Sequence, residues 1–374
     1  MRTVIEDILA LRASAIPPKD IDPQRPLWIF GAGGFGKSIC QAMQGRGIKV
    51  AGFVETSPKS VAVLDLPVVN WTVLASKASN AQIALGILNR GMPYDHLLDI
   101  AKQAGFTDIL MPWETYDLFE KELGWRFWLS SREFLLNGLD RIAEVSTRLA
   151  DPESQETLKR ITAFRLGLDT AYASTSASDN QYFNGFTLRS LQNQPITYVD
   201  CGAYNGDTYV DLLSQESINC KQSFLMEPDP ENFAALVANM VKYPGAANTV
   251  CLPLAAADQY DILTFSAGQG EGGAIGTDGN MSIAAVALDQ LLVNTHVDFL
   301  KLDVEGAEAQ VIKGSQELIK RCRPVMALSL YHNPQDLWAL PQLLFGICED
   351  YDFYIRQHYF NSFDSVLYAV PKSR

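Results

Sequence analysis

The residue types best suited to chemistry stand in two short stretches, Asp200-Cys201-Gly202-Ala203-Tyr204-Asn205-Gly206-Asp207-Thr208 and Asp303-Val304-Glu305-Gly306-Ala307-Glu308. Each follows an apolar run of strand type, Ile196–Val199 and Val297–Leu302. Glu227-Pro228 and Asp258 lie between them, and His332 follows. Glycines let a backbone approach a ligand without a Cβ in the way. Free N–H groups at the start of the helix that Thr208 opens suit a carboxylate or a phosphate. The spacing Asp200-x-Gly202-x-x-x-Gly206 departs from G-x-G-x-x-G and favours a cofactor without a pyrophosphate. S-adenosylmethionine fits that description.

Such a cofactor needs backbone donors for its methionine carboxylate, an acid for its ribose hydroxyls and a pocket for adenine. Asp200, Gly202, Ala203, Tyr204, Gly206, Asp207 and Thr208 supply the first. Glu227 ends the next strand, where the ribose would lie, and Pro228 keeps it extended. Asp258, after the third strand, is placed for the adenine amino group. Any one of these acids alone reads equally well as a helix cap. Their occurrence on successive strands favours the binding site.

Transfer of a methyl group from a sulfonium to an alcohol requires an in-line arrangement and a base for the hydroxyl proton. Asp303 and His332, at the ends of the fourth and fifth strands, are the candidates, one as base and the other orienting it or the acceptor. A helix cap at Asp303 and a buried structural histidine at 332 are the plainer readings. A divalent metal held by both is conceivable, since both are hard or borderline ligands, but none is assigned because the sequence shows no third ligand. His358 is a weaker polar candidate, and His96 and His296 have no chemical context.

The elements that must position these residues form an α/β pattern. From Ile196 onward, strands at 196–199, 223–226, 248–254, 297–302 and 325–330 alternate with helices, implying a largely parallel sheet. One continuous helix is expected over 307–320. Phe353–Gln357 and Ser365–Ala369 form an antiparallel end. A hairpin, 262–266 and 282–286, carries the Gly-rich tract 267–279 at its tip, either a mobile loop over the acceptor or an ordinary turn. Gln181-Tyr182-Phe183 reads as a lid on the cofactor pocket or as packing.

The first half carries a second glycine loop. Leu27–Phe30 leads into Gly31-Ala32-Gly33-Gly34-Phe35-Gly36, and Glu55 ends the next strand, 19 positions after Gly36. That is close to the spacing of roughly 20 in a dinucleotide fingerprint. The unit is nevertheless only long enough for one mononucleotide half. Gly31, Gly33, Gly36 and Glu55 are therefore candidates for a second nucleotide site. A fold used for packing or dimerisation and a working NAD site are the alternatives. Residues 1–26 form an N-terminal helix or arm, 27–113 a small Rossmann-like unit, 114–180 a helical connector and 181–374 the cofactor domain. Trp125, Phe127 and Trp128 in the connector read as core.

Phe299–Glu308, continuing to Val311-Ile312-Lys313-Gly314, resembles the signature of the FkbM family of methyltransferases. Asp200–Gly206, Leu288–Leu292 and Leu330-Tyr331-His332-Asn333 fit the same family. The resemblance covers about 181–371. It implies a Rossmann-like class I fold and S-adenosylmethionine-dependent methylation of hydroxyl oxygens, often on sugars, polysaccharide precursors or macrolides. The Gly31–Gly36 loop and Gly52-Phe53-Val54-Glu55 resemble the small N-terminal domain of bacterial sugar acetyltransferases, which holds a nucleotide-sugar. A saccharide, nucleotide-sugar or lipid-linked glycan hydroxyl is then the expected acceptor, and a homodimer is one role for the first unit.

Composition limits the alternatives. A net charge of −13 with no Lys/Arg-rich run disfavours a nucleic-acid partner. Asn333-Pro334-Gln335-Asp336 matches only two positions of the Asn/Asp-Pro-Pro-aromatic tetrad of amino-directed nucleic-acid methyltransferases. A dehydrogenase or regulatory module working through Gly31–Gly36, and a scaffold of two inactive folds, are the other readings. Six scattered cysteines fit a reducing cytoplasm. Glu6 and Asp7 rule against a secretory signal in the first residues, and no run is long enough for a membrane span.

Overall fold

The computed structural model describes residues 3–372, apart from 193, 244–247, 267–273, 276–278 and 280. The expected Gly-rich tract 267–279 thus lies outside the described residues except for 274–275 and 279.

Leu27-Trp28-Ile29-Phe30 is apolar at every position because helices cover both faces of a parallel sheet, and all four residues are buried. This strand, β1 (Leu27–Phe30), pairs in parallel with β2 (Val50–Val54) and β5 (Gln82–Leu85). The sheet is completed by β3 (Ala62–Val63), β4 (Leu66–Val69) and β6 (Asp108–Leu110), in the order β3-β4-β2-β1-β5-β6. The short β3 and β4 escape sequence reading. They form an antiparallel pair around Leu64 and Asp65, both with φ above +45°.

Three helices, Pro112–Leu123, Arg132–Ser146 and Pro152–Arg165, form the connector. Ser131 caps the second through the Phe134 N–H, and Asp151 caps the third through the Ser154 N–H, with Pro152 at the first helical position. Trp128 is buried as expected, but Trp125 is exposed.

The second sheet holds β7 (Pro195–Cys201), β8 (Asn219–Met226), β9 (Thr249–Leu252), β14 (Phe299–Leu302), β15 (Val325–Ser329), β16 (Tyr351–Gln357) and β17 (Ser365–Pro371). Its order is β16-β17-β15-β14-β7-β8-β9. The five strands from β15 to β9 are parallel, and β17 and β16 close the sheet antiparallel. Chain order reverses between β7 and β14, so their carboxyl ends open a crevice of the type where α/β sheets bind ligands. A small side sheet, β10 (Ala255–Ala256), β11 (Asp261–Ser266), β12 (Ala274–Ile275) and β13 (Met281–Val286), contains the expected hairpin.

The expected single helix over 307–320 is two, Glu308–Lys313 and Gln316–Cys322. The break falls at Gly314, where a Cβ would come within 2.1 Å of the Ala257 carbonyl oxygen. Asp289 caps the second piece by accepting from the Glu317 and Leu318 N–H groups.

The halves share one apolar core. Trp338 of the helix Asp336–Phe345 packs on Gly138 of the connector, so closely that a Cβ there would lie 2.9 Å from its ring. Burying Leu337, Leu340 and Leu344 of that helix is worth about 1.5–3 kcal/mol each. Arg356 on β16 adds polar ties, 2.7 Å to Asp151 and 2.8 Å to the Ser154 hydroxyl. Among the described residues no helix is long and apolar enough to cross a membrane.

Candidate functional site

At the carboxyl ends of β7, β8 and β14 lies an open cleft. Its floor is the loop after β7. Gly202 has φ +84°, and a Cβ there would stand 1.8 Å from the Asp303 carbonyl oxygen, so two strand exits can cross only over a glycine. Tyr204, Asp207 and Thr208 line the cleft with Gly202. Ala203 and Gly206 do not. Ala203 is buried, with its N–H on the Met226 carbonyl, and Gly206 packs beneath Leu236 and Met240.

The row of free backbone donors expected along this loop is largely used internally. Gly202 and Ala203 donate to Met226, Gly206 to Ala203, Asp207 to the Asn205 side chain and Thr208 to the Asp207 side chain. Thr208 and Asp207 line the cleft beside these occupied donors, and the Asp207 carboxylate suits a ligand ammonium rather than a ligand carboxylate.

Glu227 and Pro228 line the flank. Glu227 Oε2 accepts from the Tyr204 N–H at 2.8 Å and Oε1 from the Asp229 N–H at 2.9 Å. Burial raises the pKa of this carboxyl, and the two backbone donors offset part of the rise. Asp229 in turn caps the helix Pro230–Met240 through the Glu231 and Asn232 N–H groups. The acid-Pro-acid-Pro sequence therefore fixes both the helix start and the aim of Glu227.

Asp258 departs from expectation. It is exposed and does not line the cleft, whose wall here is Leu254, Ala255, Ala256 and Phe265. Pairing of β10 with β13 turns the chain away before residue 258 and sets Asp258 beside Gly314. Asp200 also sits behind the wall. Its carboxylate is fully buried, 2.9 Å from Lys301 Nζ and 2.8 Å from the Tyr198 hydroxyl. Asp200 and Lys301 are Cα partners across β7 and β14. Lys301 reaches the cleft and also donates to the Gly202 carbonyl at 2.8 Å. Burial works against its charge, but Asp200 and Asp303 outweigh it and raise the Lys301 pKa. The sequence reading missed Lys301. Its signal was a cation inside the otherwise apolar Phe299–Leu302.

Asp303 faces the cleft. Its Oδ1 accepts from the Ser329 hydroxyl at 2.7 Å and its Oδ2 from the Tyr182 hydroxyl at 3.1 Å. Burial raises its pKa, but Lys301, His332 and these hydroxyls prevail and hold it below the usual carboxylate range. Tyr182 therefore does line the cleft, whereas Phe183 packs edge-on against Phe299 in the core.

His332 does not line the cleft. Its Nδ1 lies 2.7 Å from Glu308 Oε1, and its Nε2 lies 3.5 Å from both Asp303 Oδ1 and Glu305 Oε2. Burial disfavours its charge, yet Glu308, Glu305 and Asp303 together raise its pKa to about 10. With its proton held this tightly, the ring suits the orienting role, one of the two roles the sequence left open to it. His358 stacks edge-on against Tyr368, and burial lowers its pKa to about 4.

The far end of the cleft was not foreseen. Arg90, from the loop after β5, lies 3.5 Å from Asp364, and both line it with Tyr331 and Glu305. Burial raises the Asp364 pKa to about 6 despite Arg90. Tyr204, Glu305 and Asp364 all have left-handed backbones, with φ of 47°, 52° and 47°. Strain gathered at one cleft is typical of a functional site.

In the first sheet, Glu55 Oε1 accepts from the Ala32 N–H at 3.1 Å, the same acid-to-loop bond that Glu227 makes. A Cβ on Gly36 would meet the Gly31 carbonyl at 2.0 Å. Gly31, Gly33, Gly36 and Glu55 stand apart from the cleft, which takes only Arg90 from this half.

Residues 200–364 match the family model of the methyltransferase FkbM domain. The chain carries an FkbM methyltransferase domain. It is a methyltransferase. A solved structure of methyltransferase FkbM from Methylobacillus flagellatus KT is similar over 99% of this chain and 94% of its own, with a TM-score of 0.72 and 19% identity. The fold of the FkbM domain together with the first sheet and connector thus recurs in that protein. A putative rRNA-methylase from Clostridium thermocellum covers 50% of this chain and 93% of its own, at TM-score 0.33 and 10% identity. A precorrin-6y C5,15-methyltransferase from Geobacter metallireducens GS-15 covers 53% and 94%, at TM-score 0.32 and 13% identity. No curated protein matches the chain.

Proposed function

We propose that the FkbM domain transfers a methyl group from S-adenosylmethionine to a hydroxyl of a saccharide or a related polyhydroxylated precursor. The observation that carries this reading is the division of one cleft into two chemically distinct ends. Glu227, the Gly202–Thr208 loop and the apolar wall Leu254–Ala256 with Phe265 suit a nucleoside bearing an amino acid. Asp303, Glu305, Tyr331, Asp364 and Arg90 form a polar end suited to an acceptor with several hydroxyls. Glu227 would accept from the ribose hydroxyls, the apolar wall would cover adenine, and Asp303 would face the transferred methyl group.

In the reaction, the acceptor oxygen forms a bond to the methyl carbon as the carbon–sulfur bond breaks, and that electron pair leaves sulfur neutral. Attack makes the hydroxyl proton strongly acidic, so even a carboxylate held below its usual range can take it. Asp303 is that acceptor. Tyr182 and Tyr331 stay protonated, since burial and Asp303 hold their pKa values well above the ordinary one, and they orient Asp303 or the acceptor as donors. Arg90 gives the polar end a cation able to meet a phosphate, which a nucleotide-sugar or lipid-linked glycan would bring. The first unit then serves by completing the acceptor end, with a nucleotide at Gly31–Glu55 or a dimer contact as further roles.

The test is calorimetry with S-adenosylhomocysteine, followed by labelled-methyl transfer onto a panel of sugar nucleotides and free glycosides. Asp303→Asn is expected to retain S-adenosylhomocysteine and to lose 10²-fold or more in turnover, the order of a positioned base. Binding of NAD(H) in place of the sulfonium nucleoside, or full turnover in Asp303→Asn, overturns the reading.

A further inference from the structure

His332 is arranged as a ligand is arranged, and not as an isolated cation. Its Nδ1 is fixed by Glu308 Oε1 at 2.7 Å, and the same oxygen accepts from the Val304 N–H at 2.9 Å, so Glu308 is itself held in place. The opposite nitrogen, Nε2, is buried and has no hydrogen-bond partner. It points between Asp303 Oδ1 and Glu305 Oε2, each 3.5 Å away. The histidine side chain is only 2% exposed, while the two carboxylates are 23% and 24% exposed and line the cleft.

A carboxylate on one ring nitrogen of a histidine is the usual support for a metal on the other, because it fixes the ring and raises its basicity. Donors bound to one ion at about 2.0–2.1 Å stand roughly 3–3.4 Å apart, so the two spacings from Nε2 need only a slight contraction, while the Asp303 and Glu305 carboxylates must turn toward each other on the ion. Glu305 enters the group through a left-handed backbone at φ 52°, an unfavourable conformation for a glutamate, placed directly before Gly306 at φ 101°.

We propose that Asp303 Oδ1, Glu305 Oε2 and His332 Nε2 bind one divalent first-row cation, with Glu308 as the positioning carboxylate behind the histidine. One imidazole and two carboxylates suit Mn²⁺ or Zn²⁺. The remaining coordination positions face the cleft, where oxygens of the acceptor can enter. A hydroxyl bound to such an ion is more acidic and is held at a fixed distance from the donor methyl. That role rests on the methyl-transfer reading above, but occupancy of the site does not.

The experiment uses the full chain, freed of metal by chelation and dialysis and titrated with Mn²⁺ while free Mn²⁺ is read by electron paramagnetic resonance. One ion per chain is expected, with affinity reduced at least tenfold in Glu305→Gln and in Asp303→Asn. Glu308→Gln is expected to weaken binding within the 10- to 100-fold range of second-sphere carboxylates. S-adenosylhomocysteine binding is measured on the same samples. Its retention shows that a variant is folded, and its loss in the unsubstituted chain would count against the methyl-transfer reading alone. Absence of stoichiometric Mn²⁺ and Zn²⁺ uptake, or uptake unchanged in both Glu305→Gln and Asp303→Asn, overturns the proposal.

Discussion

Replacing Lys301 by methionine should destabilise the protein far more than an ordinary surface change. Its ammonium is 3% exposed and its partner Asp200 0% exposed, at 2.9 Å. Removing one member of a buried ion pair leaves the other charge in a low-dielectric site and costs about 3–5 kcal/mol. The Gly202 carbonyl loses its donor as well, worth about 1 kcal/mol. Asp200 relieves part of this by taking up a proton, so a net loss of about 3–5 kcal/mol is expected. Lys301→Met with Asp200→Asn removes the charge and retains an oxygen for the Tyr198 hydroxyl, and should recover at least about 2 kcal/mol, a coupling typical of groups in contact. Urea unfolding followed by far-ultraviolet circular dichroism, on both variants at one pH, measures the two quantities. A single variant costing under about 1 kcal/mol, or a double variant no more stable than the single, would refute the reasoning. The same substitution frees the Gly202 peptide and removes a cation near Asp303, so S-adenosylhomocysteine affinity should fall in Lys301→Met even under conditions where it is folded.

Glu227→Gln removes a charged acceptor from the cleft, and a loss of about 1.5–3 kcal/mol, roughly 10- to 150-fold in S-adenosylhomocysteine affinity, is expected by calorimetry; unchanged affinity would move the ribose elsewhere. Gly202→Ala sets a methyl against the Asp303 carbonyl in a left-handed backbone, and should lower the melting temperature and abolish S-adenosylhomocysteine binding together. His332 is raised from 6.5 to about 10 in the fold. Its ion pairing therefore contributes stability that is present in full below pH 6.5 and is lost as pH rises toward 10, at most roughly 5 kcal/mol. In chelated buffer, unfolding free energy should fall more steeply between pH 7 and 9.5 in the unsubstituted chain than in His332→Gln, and parallel slopes would contradict the assignment.

The second sheet was legible because each strand is an apolar run that ends on a polar or small residue, and because helices separate the runs regularly. The glycine loop at 202, the acid at 227 and the acid at 303 were legible for the same reason: a strand end fixes where the following residue goes. What failed was anything set by a detour or by distant pairing. Asp258 follows a strand end too, but β10 leaves for the side sheet and carries it outward. The break at Gly314 depends on the Ala257 carbonyl, more than fifty positions away in sequence. The protonation of His332 depends on three acids, two of which, Glu305 and Glu308, had no role of their own in the sequence reading. Arg90 and Asp364 carry no local signal, because they meet only when the two sheets are packed together.

That packing makes the first sheet part of the cleft. Asn361, fully buried in the turn between β16 and β17, accepts from the Tyr94 N–H at 2.8 Å and donates to the Asn89 and Met92 carbonyls at 2.9 and 2.8 Å. Its left-handed backbone, φ 57°, is one that asparagine tolerates. Ser362 beside it accepts from the buried Arg165 guanidinium of the connector, which also donates to the Leu330 carbonyl. These bonds hold the turn that ends in Asp364 against the loop that carries Arg90. Leu330 in turn precedes Tyr331 and His332 on the exit of β15. The acceptor end of the cleft is therefore built by three parts of the chain at once, and buried hydrogen bonds of this kind are costly to leave unmade. An FkbM domain cut free of its first sheet would keep Glu227 and the Gly202 loop but lose the bonds that aim Asp364, so the donor end is local to the second sheet while the acceptor end is a property of the whole chain.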